Sequence, residues 1–463
     1  MKRTQALVVA LASCLALRVG VLQADFQASD PGVRQDPPNV NSAGDPLPNL
    51  SAGEAALFAA GAEDFEELDT LGSGLGPRMN LDSCAGCHAQ PAVGGSSPFV
   101  NPQFKFATAF GAKNSVPYFV KPNGPVREAR FKYYPDGTPD GGVHALFVIS
   151  GRKDSTGDAS ACTIKQADFD AQGQKGNVIF RIPTPVFGGG LIESIPDSSI
   201  LANLAATANG RSSLGIGGRP NRTRPTGSPN FSGNDGTITR FGWKAQNKSL
   251  LIFAGEAYNV EQGISNELFP QERDETPSCQ LASVPNDVTV ADPPSTTVAQ
   301  GSSGPVKFAA FMRFLAPPVP SKSSPGGPGS IGNGKSLFSK IGCAYCHTPR
   351  LYTGSTTSAA LNKKPVNLYS DLALHGMGPG LADDVAQGAA AGDEFRTAPL
   401  WGLGQRIFFL HDGRTANLTA AIQAHKSPAS QKYQASEANA VIDNFNALSE
   451  GQKQDLLNFL RSL

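Results

Sequence analysis

The sequence predicts a mainly α protein of two domains, the first enlarged by a long, loop-rich, partly β insertion. Three observations lead there. The pentapeptide Cys84-Ala-Gly-Cys87-His88 returns as Cys343-Ala-Tyr-Cys346-His347, one copy in each half. Helical stretches with capping boxes open the first half and close the second. Between them, 51 Gly and 36 Pro among 463 residues force much of the chain into turns.

Cys-x-x-Cys-His is the attachment signature of c-type haem. The two thiols add to the haem vinyl groups and the next residue turns its imidazole onto the iron. A zinc site would need further Cys or His nearby to complete four ligands, and neither motif has them. The expected cofactors are therefore two covalently bound c-type haems, held by Cys84, Cys87, Cys343 and Cys346, with His88 and His347 as proximal ligands.

Residues 1–24 read as an export signal: Lys2-Arg3, an apolar run over 6–17, then small or polar residues up to Ala24. The run is too short to span a bilayer once Arg18 interrupts it. Leu11-Ala12-Ser13-Cys14 also fits a lipobox, so anchoring through a lipid on Cys14 is the alternative to free export to the periplasm. Residues 25–50 form an extended lead-in rich in Pro, Asn, Asp and Gly. Ser51-x-x-Glu54 is a capping box that opens a helix over 55–68. The first haem domain then runs over 51–320. Within it, residues 177–183 read as a strand, 198–208 as a short helix and 209–238 as loop. Cys162 and Cys279 remain once the haem thiols and Cys14 are set aside. In an oxidising compartment they pair as a disulfide, stabilising the middle region by about 3–5 kcal/mol on the chain-entropy model.

The Ser/Gly/Pro segment 321–330 is the clearest boundary, and a second haem domain follows over 331–463. It has a cytochrome c-like plan: a helix over 334–343 runs into the second motif, and a last helix is capped by Ser449-x-x-Gln452. Leu456, Leu457, Leu460 and Leu463 form that helix's core stripe. Both haem domains are expected to be cytochrome c-like. The balance of 39 basic and 39 acidic residues excludes a nucleic-acid partner.

Phe395-Arg-Thr-Ala-Pro399-Leu-Trp-Gly-Leu-Gly, Leu410-His411-Asp-Gly-Arg414 and Leu418-Thr-Ala-Ala-Ile422-Gln-Ala-His425 resemble the C-terminal domain of bacterial di-haem cytochrome c peroxidases. With Gly-Pro-Arg-Met-Asn-Leu-Asp-Ser-Cys84, Arg240-Phe-Gly-Trp243 and Asp371-Leu-Ala-Leu-His375-Gly-Met-Gly, the chain from about residue 51 onward resembles the di-haem oxidoreductase family, some of whose members are labelled thiol oxidoreductases. The thiol label gains no support, because only the distant Cys162 and Cys279 lie outside the motifs.

The resemblance implies roles for particular residues. In the peroxidases the distal ligand of the second haem lies fourteen residues beyond the His of the His-x-Gly turn, usually as Met; here that position is His425. His375 and Met377 are the runner-up ligands, and His411 is expected to tie the turn. The first haem has no His within twenty residues where the peroxidases place a switchable ligand. Its iron is therefore either open or held by His144. Trp243 matches the tryptophan lying between the haems, and Glu261, with Glu256 and Tyr258 behind it, matches the acid/base carboxylate. Thr397 and Pro399 fit the loop whose carbonyls bind an interdomain Ca²⁺ in the peroxidases. The implied function is peroxide reduction at the first haem, with electrons entering at the second from a small cytochrome or cupredoxin, in a monomer or homodimer. The alternatives are a non-enzymatic electron carrier and peroxide-driven oxidation of an organic or protein substrate.

Overall fold

The computed structural model describes residues 26–35, 43–222, 238–271, 276–290 and 297–463. The export segment, Cys14 and half of the loop expected over 209–238 lie outside them. Among the described residues, no helix is long and apolar enough to cross a membrane.

Helix α1, Ala52–Glu66, starts at the expected capping box. Ser51 Oγ accepts from the Glu54 amide, and the Glu54 carboxylate accepts from the Ser51 amide at 2.7 Å. Its inner face packs on α2, Gly304–Phe314, itself laid against α3, Leu250–Gln262. Gly61 allows this approach, since a Cβ there would collide with the Lys307 carbonyl. Phe65, Phe308, Phe311 and Tyr258 fill the space between the three helices.

A second core belongs to the insertion, where Phe106, Phe119, Phe147 and Phe169 pack around the Cys162–Cys279 disulfide. Its main sheet is antiparallel. The central strand β1, Glu128–Phe131, pairs with β2, Val143–His144, on one side and with β3, Val178–Arg181, on the other. The expected strand over 177–183 is β3. The helix expected over 198–208 is Asp197–Ala206. A further helix, Ala208–Ser213, occupies the start of the stretch read as loop, because buried Arg211 binds the Leu204 and Gly217 carbonyls and holds the turn.

A third core lies in the C-terminal region. Helix α4, Gly327–Lys340, crosses the final helix α5, Glu450–Ser462, and Phe338, Phe445, Leu457 and Phe459 pack between them and their neighbours. A Cβ at Gly334 would strike the Asp455 carbonyl, so this glycine sets how closely the two helices meet. The boundary expected over 321–330 is half helix: α4 begins at Gly327, with Pro328 in its first turn where a proline costs no hydrogen bond. The described part of the lead-in forms no helix and docks against α5. Asp30 binds Arg461, and the Ala28 amide donates to Glu450 at 2.8 Å.

Phe445 is 1% exposed at the centre of the third core. Phe445→Ala should therefore lower unfolding free energy by about 3–5 kcal/mol in chemical denaturation. A loss below about 1 kcal/mol would show that this core re-forms without it.

Candidate functional site

The second motif opens onto a largely apolar cavity of about 220 Å³. Cys343, Cys346 and His347 stand on one wall, with His425 among the residues of another. His347 Nδ1 meets the Tyr369 carbonyl at 3.0 Å, and His425 Nδ1 meets the Ala421 carbonyl at 2.8 Å. In each ring the carbonyl fixes the tautomer with the proton on Nδ1, which leaves the Nε2 lone pair available to a metal. Burial holds His347 down at about 4, and the neighbouring His425 adds to that. Both rings are thus neutral donors at ordinary pH. His425 is placed by a six-residue helix, Leu418–Gln423, capped by Asn417.

The runner-up ligands line the same cavity in different states. His375 is 3% exposed, with Nδ1 on Glu437 at 2.7 Å and Nε2 on Asp371 at 2.9 Å. Both nitrogens are committed to carboxylates; burial lowers the ring's proton affinity, but Cys346 and Asp371 together raise it well above the ordinary histidine range. Met377 stands on the cavity wall. His411 stacks on Phe395, centroids 4.4 Å apart, while its backbone carbonyl accepts from the Ile182 amide.

The four motif thiols are unbonded despite their spacing. Burial pushes the Cys343 thiol up to about 12 and those of Cys84 and Cys87 well above their ordinary range. Such thiols make poor metal ligands or exchange nucleophiles. Paired thiols beside a neutral imidazole on an apolar cavity fit a covalently attached macrocycle.

Around the first motif, His88 Nδ1 meets the Gly95 carbonyl at 3.0 Å, and the Phe65 ring stands edge-on to the imidazole at 5.9 Å. Cys84 Sγ lies 3.7 Å from Gln262 Oε1, so the C-terminal end of α3 abuts the motif. That end carries Glu261. Asn80 Nδ2 donates to Glu261 Oε2 at 2.7 Å, and Asn80 Oδ1 accepts from the Leu146 amide. Burial, with Glu128 close by, raises the Glu261 carboxyl to about 8. Glu256, one turn back, accepts from Asn247, and its carboxyl is also raised by burial; the Arg130 guanidinium acts on both glutamates and binds Glu128 directly. Tyr258 gives its hydroxyl to Asp69.

His144 sits elsewhere in the insertion, on β2. Its Nε2 lies 2.7 Å from Asp140, and its ring stacks on Phe131 with centroids 3.8 Å apart. The Thr397 carbonyl accepts from the Ser370 hydroxyl, and Pro399 lines a second, small cavity of about 30 Å³. Among the described residues, no group of three or more His, Cys, Asp or Glu could hold a metal ion.

Trp243 lines both the large and the small cavity. Its Nε1 donates to the Ile182 carbonyl at 2.9 Å, and its own carbonyl accepts from the Arg396 amide. The next residue, Lys244, is fully buried, its ammonium on the Ala391 and Glu394 carbonyls and 3.1 Å from Asp383. Arg181 binds the same aspartate through Nε and Nη2. Asn80, Glu128, Arg130, Asp383 and Arg396 carry no role in the sequence reading. Asn80 lies in the Gly-Pro-Arg-Met-Asn stretch before Cys84 and Arg396 in the Phe-Arg-Thr-Ala-Pro stretch, whereas Glu128 and Asp383 carry no local signal.

The model of the family described as "Di-haem oxidoreductase, putative peroxidase" matches residues 127–463. No curated protein matches the chain. Among solved structures, the chain is similar to Kuenenia stuttgartiensis hydrazine synthase, with 12% identity over 99% of this chain and 100% of that one, at a TM-score of 0.34. It is also similar to the diheme peroxidase BthA from Burkholderia thailandensis, with 14% identity over 48% of this chain and 65% of that one, TM-score 0.28. A MauG-like protein associated with microbial copper homeostasis shares 20% identity over 36% of this chain and 54% of that one, TM-score 0.24. All three scores lie below 0.5, so the assignment rests on the family match.

Burial alone would raise Asp383, but Arg181 and Lys244 hold it down at about 2. A carboxylate depressed by folding contributes stability above its unfolded pKa of about 3.8 and loses it as pH falls toward 2. The expected contribution is on the order of 2 kcal/mol, read as an acid-limb fall in melting temperature. Asp383→Asn should be less stable at neutral pH and lack that component of the fall.

Proposed function

This chain belongs to the di-haem oxidoreductase family, and on that premise we propose that it is an exported peroxidase. In this reading hydrogen peroxide is reduced beside His88 while electrons enter by way of His347 and His425. The observation that carries it is the asymmetry between the motifs. His347 shares its cavity with a second neutral imidazole. The first motif has a buried, proton-holding carboxyl, Glu261, at its edge instead.

When bound, each haem would supply an iron that exchanges single electrons, one held by His88 and the other by His347 and His425. The rest of the work falls to side chains. Reducing one hydrogen peroxide to two waters takes two electrons and two protons, and it requires a proton to move from one peroxide oxygen to the other. Glu261 as carboxylate accepts that proton and returns it to the departing oxygen. Asn80 holds the carboxylate in one orientation, and burial raises its proton affinity, with Glu128 adding to the rise and Arg130 opposing it. Trp243, clamped between two carbonyl-anchored segments, gives electrons a path from the second cavity toward the first motif. The electrons come from a small exported cytochrome or cupredoxin. Export by the N-terminal segment, or attachment through Cys14, places the protein where haem attachment and such donors occur.

EPR of the ferric holoprotein should contain a high-spin signal that changes on adding H2O2. Glu261→Gln should retain that signal and lower peroxide reduction by about 10²–10⁴-fold, with reduced cytochrome c as donor. In the parent, the rate should rise with pH through about 8 as Glu261 loses its proton, and the variant should lack this step. Two low-spin signals, inert to peroxide in every redox state, would overturn the proposal.

A further inference from the structure

Two buried arginines face the large cavity without a counter-charge. Arg396 ends the strand Glu394–Arg396, which pairs with Leu374–Gly376 so that Arg396 lies opposite Leu374. Its Nε donates to the Gly242 carbonyl at 3.0 Å. Arg406 follows the short turn Leu403–Gln405, and its backbone carbonyl is fixed by Arg461 at 2.9 Å. Each is only 8% exposed, and both line the large cavity that also holds Cys343, Cys346 and His347. Both line the small cavity as well, beside Trp243.

Among the described residues, neither guanidinium has a carboxylate within ion-pair distance. Arg181, Arg240 and Arg461, buried still more deeply, each have an aspartate: Asp383, Asp197 and Asp30. Burial lowers Arg396 and Arg406 to about 10, and Arg406 repels Arg396 further. Two like charges taken out of water without an anion are strongly destabilising. Neither can discharge at ordinary pH, so the fold must meet them with something negative. The guanidinium fork matches a carboxylate through two parallel N–H donors.

We propose that Arg396 and Arg406 form a carboxylate cradle, and that its occupant is the propionate edge of the haem attached at Cys343 and Cys346. The assignment rests on the two-haem reading above. A c-type haem carries its two propionates on the edge away from the thioether bonds, so the thiols and the arginines would hold opposite edges. The cradle gives the second haem its counter-charge and brings that charge beside Trp243. It also makes the reduction potential of the second haem depend on these two side chains, since each positive charge favours the ferrous form over the more positive ferric one.

The test uses the holoprotein, with potentiometric titration of its low-spin haem. Arg406→Gln leaves the Arg396–Gly242 contact in place and is the first variant; Arg396→Gln and Arg406→Lys follow. Each Gln variant should retain both haems and shift the second haem's redox equilibrium about tenfold toward ferric, about 59 mV for one electron. Arg406→Lys, which keeps the charge, should restore most of that shift. A two-haem Arg406→Gln protein with an unmoved potential would overturn the proposal. So would a potential in the parent that follows added sodium acetate, with that sensitivity lost in the Gln variants, because the cradle would then serve a diffusible carboxylate. Absence of haem from the parent would instead defeat the two-haem reading, and pyridine haemochrome spectra separate that result from the others.

Discussion

The buried cluster of Arg181, Asp383 and Lys244 is the constraint on which the arrangement of the site depends. One aspartate, 1% exposed, receives a strand end from the insertion, a lysine from the turn carrying Trp243, and the loop of the C-terminal region to which it belongs. Three separate stretches of chain are thereby tied at a single carboxylate. The tie cannot relax by solvation, since its members are out of water, nor by losing one partner, which would leave an uncompensated charge inside. Trp243 inherits its position from this. The indole has no freedom to rotate away, because the residue after it is locked and its ring nitrogen is bound to Ile182, next to Arg181 in sequence.

The two haem motifs are near copies in sequence and unlike in surroundings. The second faces imidazoles and aromatic rings, the first a set of carboxyls on α3 and β1. Burial acts on both but in opposite chemical senses. It lowers the proton affinity of His347 and His425 at the second motif and raises that of Glu256 and Glu261 near the first. The same physical effect thus favours neutral imidazoles at one end and a protonated carboxyl at the other.

Much of this was legible in the sequence where the signal is local. The motif thiols, the capping boxes at Ser51 and Ser449, the strand before Pro183 and the Leu456–Leu460 stripe each follow from neighbouring residues alone. His425 and Trp243 were reached through longer motifs, and the structure puts both on one cavity with His347. The Gly327–Ser330 turn of α4 was not legible. Its residues are weak helix formers, and the helix there is held by packing on α5, with Ser330 bonded to Asp455. Nor were Glu128 and Asp383 legible, because each acquires its environment from residues brought together by the fold.

The contact between Asp30 and Arg461 spans 431 positions. Arg461 is 1% exposed and also caps the carbonyls of Leu403 and Arg406, so it is part of the wall behind the arginine cradle. Contacts of such sequence separation are the slowest to close. The wall of the second motif's cavity therefore hangs on one side chain that joins distant segments, and removing the Arg461 guanidinium would release Asp30 and the Leu403 and Arg406 carbonyls together.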